Sequence, residues 1–483
     1  MIVRRTLLGA ALALGGGAAA LAQTLFDPAG YGAKGDGHSD DTKAVQRAID
    51  ACAAAGGGRV TLLPGRTYLT GTIQLRSHVT LEISEGAVLK GATDREGFRE
   101  FGSLIFAHDQ ENIAVVGRGT IEGQGTAYFP TLEQGAYNVP HAFLGPWNPL
   151  DERPGQFHAD GRPRMFILVS CRNVRLQGFR IHDAPTWTIH PIDCEDLAIE
   201  GITIDNNLLI PNNDGIDVDR CRRVRIANCA ITAGDDCIIL KSSRNFPQFG
   251  VCEDVTVTGC TLRSSSAGIK IEPEGPGIVR NAVFSDLTIT RSNRGMAIFN
   301  RDGALVENLI FSNLVITTEL HHPMWWGAAE AINISNIPRS KTMAPGTMRN
   351  LQFDNIVCRG ESGVFIHGFE GSPLEDITFN NVQVGLERTT SYPCGFYDLR
   401  PNDYYLQVYR HRIAGVYAKW AQRLTLNDVS VHWAANLPDC YGPALEVEAV
   451  DGLSLGRFQG SGAHAGDPAQ VIDAQTRQHM RSN

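Results

Sequence analysis

The chain has 483 residues, a formal net charge of −9 and 43% hydrophobic residues. That length exceeds a typical single globular domain, but elongated repeat folds escape the limit because each repeat packs only on its neighbours. The negative charge argues against nucleic acid as the main partner. An acidic polysaccharide stays compatible with it, because local basic groups can hold one.

Residues 1–22 have the pattern of an export signal. Arg4 and Arg5 precede an apolar run, and Ala20-Leu21-Ala22 forms a small-x-small cleavage site before Gln23. The order Arg-Arg-Thr-Leu-Leu resembles a twin-arginine signal. The run is short and broken by glycine, which favours cleavage over membrane anchoring, and no later stretch reaches the ~18 apolar residues of a span. We expect a periplasmic or secreted monomer that begins near Gln23.

The first predicted element of the mature chain is a helix over Thr42–Ala55. Val45, Ala48, Ile49 and Cys52 recur at helical spacing, and three glycines end the pattern. A helix in this place is expected to cover the open N-terminal end of the repeats that follow.

One short unit then repeats along the chain. A polar pair is followed by apolar-x-apolar, two spacers and a second apolar-x-apolar, as in Arg172–Ile181, Glu195–Ile204 and Arg222–Ile231. Further short strands such as Ile216–Val218 lie between the units, and no helix separates them. This pattern predicts an all-β fold, a right-handed parallel β-helix that forms one domain over residues 23–483. A β-propeller would need longer repeats with four antiparallel strands each.

Three insertions interrupt the repeat, at Thr126–Pro163, Leu320–Ala329 and Tyr392–Arg412. Insertions in solenoids form loops, often on the binding face. We expect their aromatic residues to be exposed there and to suit the apolar faces of sugars, although loop aromatics also serve simply to pin a loop down. These residues are Trp147, Trp325, Trp326, Tyr392, Tyr397, Tyr404 and Tyr405.

Eleven cysteines are an odd number for an exported chain. Cys171, Cys194, Cys221 and Cys252 stand at the same position of successive repeats. Stacking would place them one coil apart, so either disulfides or a ladder of small buried residues is compatible with the register. No pair has zinc-finger spacing, and we predict no metal site and no cofactor.

The chemistry-bearing segments are Pro211–Asp219 and Gly234–Ser242, each a turn that runs into a short strand. Asp214 and Asp235 are separated by about one coil, so that Asp214, Asp235 and Asp236 are expected to converge. Acids at such range cannot all ionise easily, and one is expected to keep its proton near neutral pH. An acid and a base side by side are what a glycosidase needs. The competing interpretation is that these residues only cap turns.

Together with the repeat, three segments resemble glycoside hydrolase family 28, the polygalacturonase and rhamnogalacturonase family with a pectin-lyase-like β-helix. They are Asn212–Asp217, Gly234–Ile238 and Trp187–Pro191, and the resemblance extends from Phe26 to Phe458. It implies an inverting hydrolase. Asp235 would be the general acid, and Asp214 with Asp236 would position and deprotonate the water. Inversion requires ~6.5–9.5 Å between the two carboxyl groups, which adjacent coils are expected to supply.

The chain departs from the family at two places. Ala267 stands where the family has the histidine of a Gly-His-Gly turn, and Ala297–Phe299 replaces an Arg-Ile-Lys strand. In the family these cations grip the uronate of the substrate. Their absence predicts a preference for a rhamnose-containing or branched pectic fragment over plain homogalacturonan. Closure of one groove end by the Trp325–Trp326 insertion would favour removal of terminal residues. The predicted substrate-binding residues are His190, Lys241, Lys270, Phe299, Arg301, Trp325 and Trp326.

Two other functions stay open from the sequence. One is a polysaccharide lyase with Lys241, Lys270 or Arg244 as base and calcium held by carboxylates. An unsaturated product whose formation a chelator abolishes would indicate it. The other is a non-catalytic carbohydrate-binding or adhesin β-helix, which would bind glycan and release no reducing sugar.

Overall fold

The computed structural model describes residues 25–129, 161–321, 325–400, 402 and 408–481. The predicted export signal and the residues Trp147, Tyr404 and Tyr405 lie outside them. Within the described part, the helices are Thr42–Ala54 and Ala474–Gln478, with 3-10 turns at Pro28–Tyr31, Glu96–Phe98 and Gly125–Tyr128. The remaining regular elements are strands. The all-β prediction is confirmed.

In the described part of the chain, thirteen parallel strands form one face of the molecule, here called the front sheet. Each strand pairs with the strand one coil later, which is the arrangement that the repeat predicts. The strands are Ile73–Gln74, Ser103–His108, Arg164–Val169, Ile189–Ile192, Ile216–Asp219, Ile238–Lys241, Ala267–Ile271, Arg294–Phe299, Glu330–Ser335, Ser362–His367, Val416–Gln422, Leu445–Asp451 and Gln470–Ile472.

A second parallel stack follows the front sheet around the coil and carries the repeat unit of the sequence. Its strands are Leu25–Phe26, Gly58–Leu62, Val79–Ile83, Glu111–Gly117, Arg172–Gln177, Glu195–Glu200, Arg222–Ala227, Cys252–Thr258, Ile278–Ser292, Leu305–Thr318, Thr347–Gly360, Leu374–Leu386, Thr425–Trp433, Ser454–Leu455 and Phe458–Gln459.

A third stack completes each coil. Its strands are Asp36–Asp40, Thr67–Thr70, Val88–Gly91, Thr120–Glu122, Arg180–His182, Thr203–Asp205, Ala230–Ala233 and Thr261–Ser264. Beyond it, long strands such as Ile278–Ser292 serve both the second and third stacks. Crossovers between parallel strands are right-handed as a rule. The molecule is the predicted right-handed parallel β-helix.

The polar pair of each repeat has a conformational role. Its second member adopts a left-handed backbone, with φ of 55° at Asn281, 58° at Asn308 and 56° at Asn350. Asparagine and aspartate tolerate this conformation better than other L residues, which explains the recurring pattern. The side chains also form a ladder, because Asn308 Nδ2 donates to Asn281 Oδ1 at 3.0 Å and Asn350 Nδ2 to Asn308 Oδ1 at 2.7 Å.

Stacked apolar rows fill the interior of the coil. Phe284, Phe311, Phe353 and Phe379 form one such row, with successive ring centroids 5.1, 5.1 and 4.5 Å apart. Apolar side chains that repeat at one position of the coil therefore bury one another without any long-range folding pattern.

The four cysteines at one register are the buried ladder and not disulfides. Cys171, Cys194, Cys221 and Cys252 are all free and buried, and the Cys194 N–H donates to Cys221 Sγ at 3.3 Å. The disulfide of the molecule lies elsewhere, between Cys394 and Cys440.

The predicted helix covers the N-terminal end of the coil. It runs over Thr42–Ala54 and buries Val45, Ala48, Ile49 and Cys52 against the first strands. At the opposite end the short helix Ala474–Gln478 packs on the Leu445–Asp451 strand.

The insertion at Tyr392–Arg412 contains an antiparallel hairpin, Phe396–Asp398 with Val408–Arg410. Tyr397 stacks on Phe365 of the front sheet with ring centroids 4.3 Å apart. The hairpin therefore covers the C-terminal part of the front sheet. Tyr397 and Trp325 are buried, so the expectation of exposed rings is wrong for both, whereas Trp326 and Tyr392 are half-buried.

No helix in the described part of the chain has the length and apolarity needed to cross a membrane.

Candidate active site

Three aspartates meet at the start of two adjacent front-sheet strands. Asp214 precedes the Ile216–Asp219 strand, and Asp235 and Asp236 precede Ile238–Lys241. The Gly215 N–H donates to the Asp236 carbonyl at 2.8 Å, which stacks the two turns. One carboxylate oxygen from each aspartate lies within 4.8 Å of the others. The convergence predicted from the spacing is confirmed.

The oxygens are closer than the separation expected for an inverting pair. The expectation was ~6.5–9.5 Å between carboxyl groups, whereas the nearest oxygens of the three lie within 4.8 Å. Asp235 and Asp236 are consecutive in sequence, and Asp214 lies only one coil away, at the ~4.8 Å strand spacing. The separation alone therefore does not assign the stereochemistry.

Asp236 is the acid with the strongest hydrogen-bond partners. Its Oδ1 accepts from Ser266 Oγ at 2.8 Å and from the Ala267 N–H at 3.2 Å. Its Oδ2 lies 2.8 Å from Lys270 Nζ. A neighbouring cation and two donors favour the ionised form of a carboxylate. Both oxygens of Asp236 are thus fixed by donors of the following coil.

Asp235 is half-buried, and its Oδ2 accepts only long hydrogen bonds from the Asn212 N–H and Nδ2, at 3.3 and 3.5 Å. Burial, followed by repulsion from Asp236, raises the pKa of Asp235 to about 6. This acid keeps its proton at a pH where an ordinary aspartate has lost it.

Asp214 is buried, and its Oδ1 accepts no hydrogen bond from the residues that the structure describes. Burial and the nearby charges of Asp217, Asp235 and Asp236 raise the pKa of Asp214 well above its usual value. The set therefore contains two acids with raised pKa values, Asp214 and Asp235, beside Asp236, whose oxygens are bound by Ser266 and Lys270. The sequence predicted that one acid keeps its proton near neutral pH. The structure favours the protonated form of two, Asp214 and Asp235.

Lys241 lies behind Asp214 and points away from the core. Its Nζ is 3.4 Å from both Asp217 Oδ1 and Glu274 Oε1, and 3.7 Å from the ring centroid of Trp187. Asp217 is fully buried with an unpartnered Oδ2, and burial raises the pKa of its carboxyl to about 7. Lys241 is therefore enclosed by protein groups.

His190 lies beneath the same surface. It is fully buried between Arg164 Nη1, 2.9 Å from its Nδ1, and Asp219 Oδ2, 3.3 Å from its Nε2. Burial lowers the pKa of His190 to about 4. The Arg164 guanidinium in turn lies 4.4 Å from the Trp187 ring centroid. His190 thus supports Arg164 and Trp187 from behind.

Lys270 begins a buried chain of charges. Its Nζ also contacts Glu272 Oε2 at 2.9 Å, and Glu272 Oε1 lies 3.3 Å from both Arg301 Nη1 and Arg339 Nη2. The Arg301 guanidinium covers the Phe299 ring at 4.2 Å from its centroid. Phe299 is 1% exposed, so its ring offers no open face, although it points away from the core as the alternation predicted.

The two tryptophans of the second insertion differ in position. Trp325 is buried, and its carbonyl accepts from Arg400 Nη2 at 3.0 Å. Trp326 is half-buried, and its carbonyl accepts from Arg294 Nη1 at 3.3 Å. Their backbones, and not their rings, tie this insertion to the arginines.

Those arginines belong to a buried network of charged side chains. Arg294 Nε donates to Glu330 Oε2 at 3.2 Å and its Nη2 to the Asp398 carbonyl at 2.9 Å. Arg400 Nη2 donates to Asp398 Oδ2 at 2.7 Å. The network fixes the hairpin insertion to the front sheet.

Sequence reasoning missed several groups at the site. The side chain of Trp187, the acids Asp217 and Glu272, and the cation Arg164 were not among the predicted site residues. Alternation carried a signal for two of them, because Asp217 lies on the outward face of the Ile216–Asp219 strand and Glu272 follows the outward Lys270 by two positions. Nothing local marked Arg164.

Carboxylate oxygens at this spacing also suit a hard cation. Here the Lys270 ammonium occupies the position next to Asp236 Oδ2, at 2.8 Å. A second group within 4.8 Å comprises His411, Glu446 and Glu448. There, Lys419 Nζ lies 2.6 Å from Glu448 Oε2.

Converging carboxylates on adjacent coils of a parallel β-helix are typical of one class of carbohydrate-processing proteins. Residues 58–395 match the family described as glycosyl hydrolases family 28. The chain belongs to this family, as its motifs predicted.

Named relatives agree with this membership. A probable polygalacturonase of Vitis vinifera is 27% identical over 253 residues, which are 48% of this chain and 47% of that protein. The chain thus spans about half the length of this curated relative, and 62% of an exopolygalacturonase of Zea mays that is 24% identical.

Solved structures share the fold. An exopolygalacturonase from Thermotoga maritima superposes with a TM-score of 0.63 at 25% identity, covering 75% of this chain and 87% of that one. The family 28 exopolygalacturonase of Yersinia enterocolitica gives 0.61 at 17% identity, with coverage of 90% and 78%, and at that identity it speaks for the fold alone.

Proposed function

We propose that this protein hydrolyses a glycosidic bond of a pectin-type polysaccharide or oligosaccharide with inversion at the anomeric carbon. The observation that carries the proposal is the trio of converging aspartates, in which Lys270 contacts Asp236 and burial raises the pKa of Asp235. An acid and a base in contact at one site are the equipment for glycoside hydrolysis.

Each aspartate has a role in this proposal. Asp235 is the half-buried member with a pKa raised to about 6, and it protonates the leaving oxygen. Asp236, with its oxygens fixed by Lys270 and Ser266, accepts a proton from water. Asp214 orients the same water with an oxygen that has no other hydrogen-bond partner. Net charge is conserved, because the proton given by Asp235 is regained through Asp236.

We infer that the sugar at the cleavage point is not gripped through a uronate. Lys241 and Lys270 are both occupied by carboxylates of the protein. Each charged hydrogen bond to a substrate carboxylate contributes ~1.5–3 kcal/mol, so the engagement of these two lysines by the protein favours a neutral or deoxy sugar such as rhamnose. The buried Phe299 ring does not contribute, contrary to its predicted role.

The closed end of the front sheet supports action near a chain end. The hairpin with Tyr397 covers the strands from Ser362–His367 onward, and the Arg294–Asp398 contact fixes it there. A long polysaccharide cannot follow the sheet beyond this cover. This favours removal of terminal units. The end of the groove is closed by the backbone of the insertions and not by the ring of Trp325.

The lyase interpretation loses support at the same residues. A lyase base must lose its proton, but neighbouring acids raise the pKa of Lys241 and Lys270 above the usual value despite their burial. A purely binding β-helix would have no use for a proton held on a buried acid.

The test is a panel of defined pectic oligosaccharides with free reducing-end release as the readout. We expect release from rhamnose-containing or branched fragments, one terminal unit at a time. In ¹H NMR, the anomer that forms first should have the configuration opposite to that of the cleaved bond. A rapid fall in viscosity of polygalacturonic acid would refute the substrate and the end action together. Chelator-sensitive absorbance of an unsaturated product would mean a lyase.

A further inference from the structure

Ala267 begins the front-sheet strand that lies one coil after the acids, and this strand also brings a cation to them. Lys270 lies three residues later on the same strand, Ala267–Ile271. Its Nζ is 2.8 Å from Asp236 Oδ2, and the lysine is 8% exposed. The strand thus supplies a backbone donor from Ala267 and a charged donor from Lys270 to the same carboxylate.

The ammonium is held from the far side as well. Glu272 Oε2 lies 2.9 Å from Lys270 Nζ, and Glu272 Oε1 contacts Arg301 and Arg339 at 3.3 Å each. A buried lysine between two carboxylates keeps its proton and has little freedom to move. Lys270 is therefore fixed in distance and charge relative to Asp236.

We propose that Lys270 is a positioning residue for the hydrolysis, which keeps Asp236 ionised and aimed at the water. The inference rests on the proposed function, because it concerns the base of that reaction. It replaces the role predicted from the sequence, in which Lys270 grips the substrate.

The two roles have different consequences. A lysine that grips substrate acts through KM, and only for substrates that carry the matching group. A lysine that holds the base ionised acts through kcat and the pH dependence on every substrate. Removing its charge lets Asp236 bind a proton at higher pH, so that the acid limb of the rate profile moves toward neutral pH.

The test compares Lys270→Met with Lys270→Arg, which keeps the charge. Lys419→Met is the matched control, since Lys419 is also an outward lysine of the front sheet and contacts a carboxylate, Glu448, at 2.6 Å. The readouts are kcat and KM across pH on a neutral and a uronate-containing pectic fragment. The titration of Asp236 is followed separately by carboxyl ¹³C NMR, with the signal assigned by its loss in Asp236→Asn.

We expect Lys270→Met to shift the midpoints of the acid limb and of the Asp236 titration to higher pH by about one unit or more. The same variant should lower kcat at pH 5 at least about tenfold. Lys270→Arg recovers most of both, and Lys419→Met changes neither. An unmoved titration, or a change in KM alone on the uronate substrate, overturns the inference.

Two further outcomes are separable. If the wild-type protein cleaves no pectic fragment, the proposed function fails, and the NMR titration alone still decides whether Lys270 holds Asp236 ionised. If Lys270→Met does not fold, Lys270→Gln is measured in its place, with circular dichroism to confirm the fold.

Discussion

The two halves of the front sheet carry opposite chemistry on the same framework. One outward row runs in strict register through Asp217, Ile239, Lys270, Ala297, Asn333, Phe365, Tyr417 and Glu446. The strands from Ile216–Asp219 to Glu330–Ser335 are here called the acid half, and their outward row and the turns before it hold buried charges. From Ser362–His367 onward, the aromatic half, the row holds rings beneath the hairpin.

The difference shows how a solenoid separates stability from function. In the aromatic half, Phe365 packs on Tyr397 and Tyr417 with centroids 4.3 and 5.4 Å apart. In the acid half, Asp214 and Asp217 retain buried oxygens without partners. Unpartnered polar atoms cost stability. Because each coil contacts only its neighbours, the rings that offset this cost can lie a few coils away from the acids.

The sharpest test of this division is to remove an acid. Asp235→Asn should reduce kcat about 10²–10⁴-fold, since a general acid contributes that much. Asp214→Asn should also abolish most turnover because Asp214 orients the water, and the fold should stay intact in both. Reducing-end release on the substrate that the wild type cleaves is the measurement.

Glu448→Gln in the aromatic half is the control for these acids and should keep full activity. Near-normal turnover of either aspartate variant would remove the assignment.

The mirror-image change is Phe365→Ala. Truncation of a fully buried phenylalanine typically costs ~3–5 kcal/mol of unfolding free energy, and here it also loosens Tyr397. The expected result is a lower urea midpoint with kcat little changed in the remaining folded protein. Val357→Ala, at a side chain 45% exposed on another face, should stay within ~0.5 kcal/mol. Equal effects of the two would show that the ring stack carries no special share of stability.

A smaller effect is expected from the disulfide that anchors the hairpin. Cys394 and Cys440 are 46 residues apart in sequence, and removing such a link typically costs ~2–4 kcal/mol. The Cys394→Ser/Cys440→Ser protein should unfold at lower urea and should admit longer polysaccharides. Reductant should reproduce both changes in the wild type and leave the double variant unaffected. Mid-chain cutting unchanged by either treatment would contradict the end-closing role of the hairpin.

The mildest perturbation is pH. Burial raises the pKa of Asp235 to about 6, and a general acid must be protonated to act. The raised value keeps the acid competent below about pH 6, and kcat/KM should fall as pH rises through it, approaching tenfold per unit. A profile flat to pH 8 would mean that another group donates the proton.

The acid half was largely predictable from sequence, and the aromatic half was not. Asp214 and Asp235 lie one coil apart along the chain, so periodicity alone brings them together. The contact between Arg294 and the Asp398 carbonyl spans 104 residues, and no periodic pattern reports it. The same holds for Trp325, which an insertion pattern places at the surface and the buried arginines draw inward.

The alternation of apolar residues also could not predict the solvent exposure of the outward side chains. Period-2 patterning correctly set Phe299 and Lys270 on the outward side of their strands. Whether an outward side chain meets solvent depends on what the insertions lay over it, and here Arg301 and the Glu272 network cover both. Direction is a local property of a strand, and burial is a property of the whole fold.

The cysteine ladder makes the molecule its own reporter of local opening. Burial raises the pKa of the thiols of Cys194, Cys221 and Cys252, and alkylating reagents attack the thiolate. Each rung is thus chemically silent while its coil is closed. Since coils open in neighbouring groups and not all at once, the order in which the ladder thiols take up a mass label under mild denaturant would map where the solenoid begins to unzip.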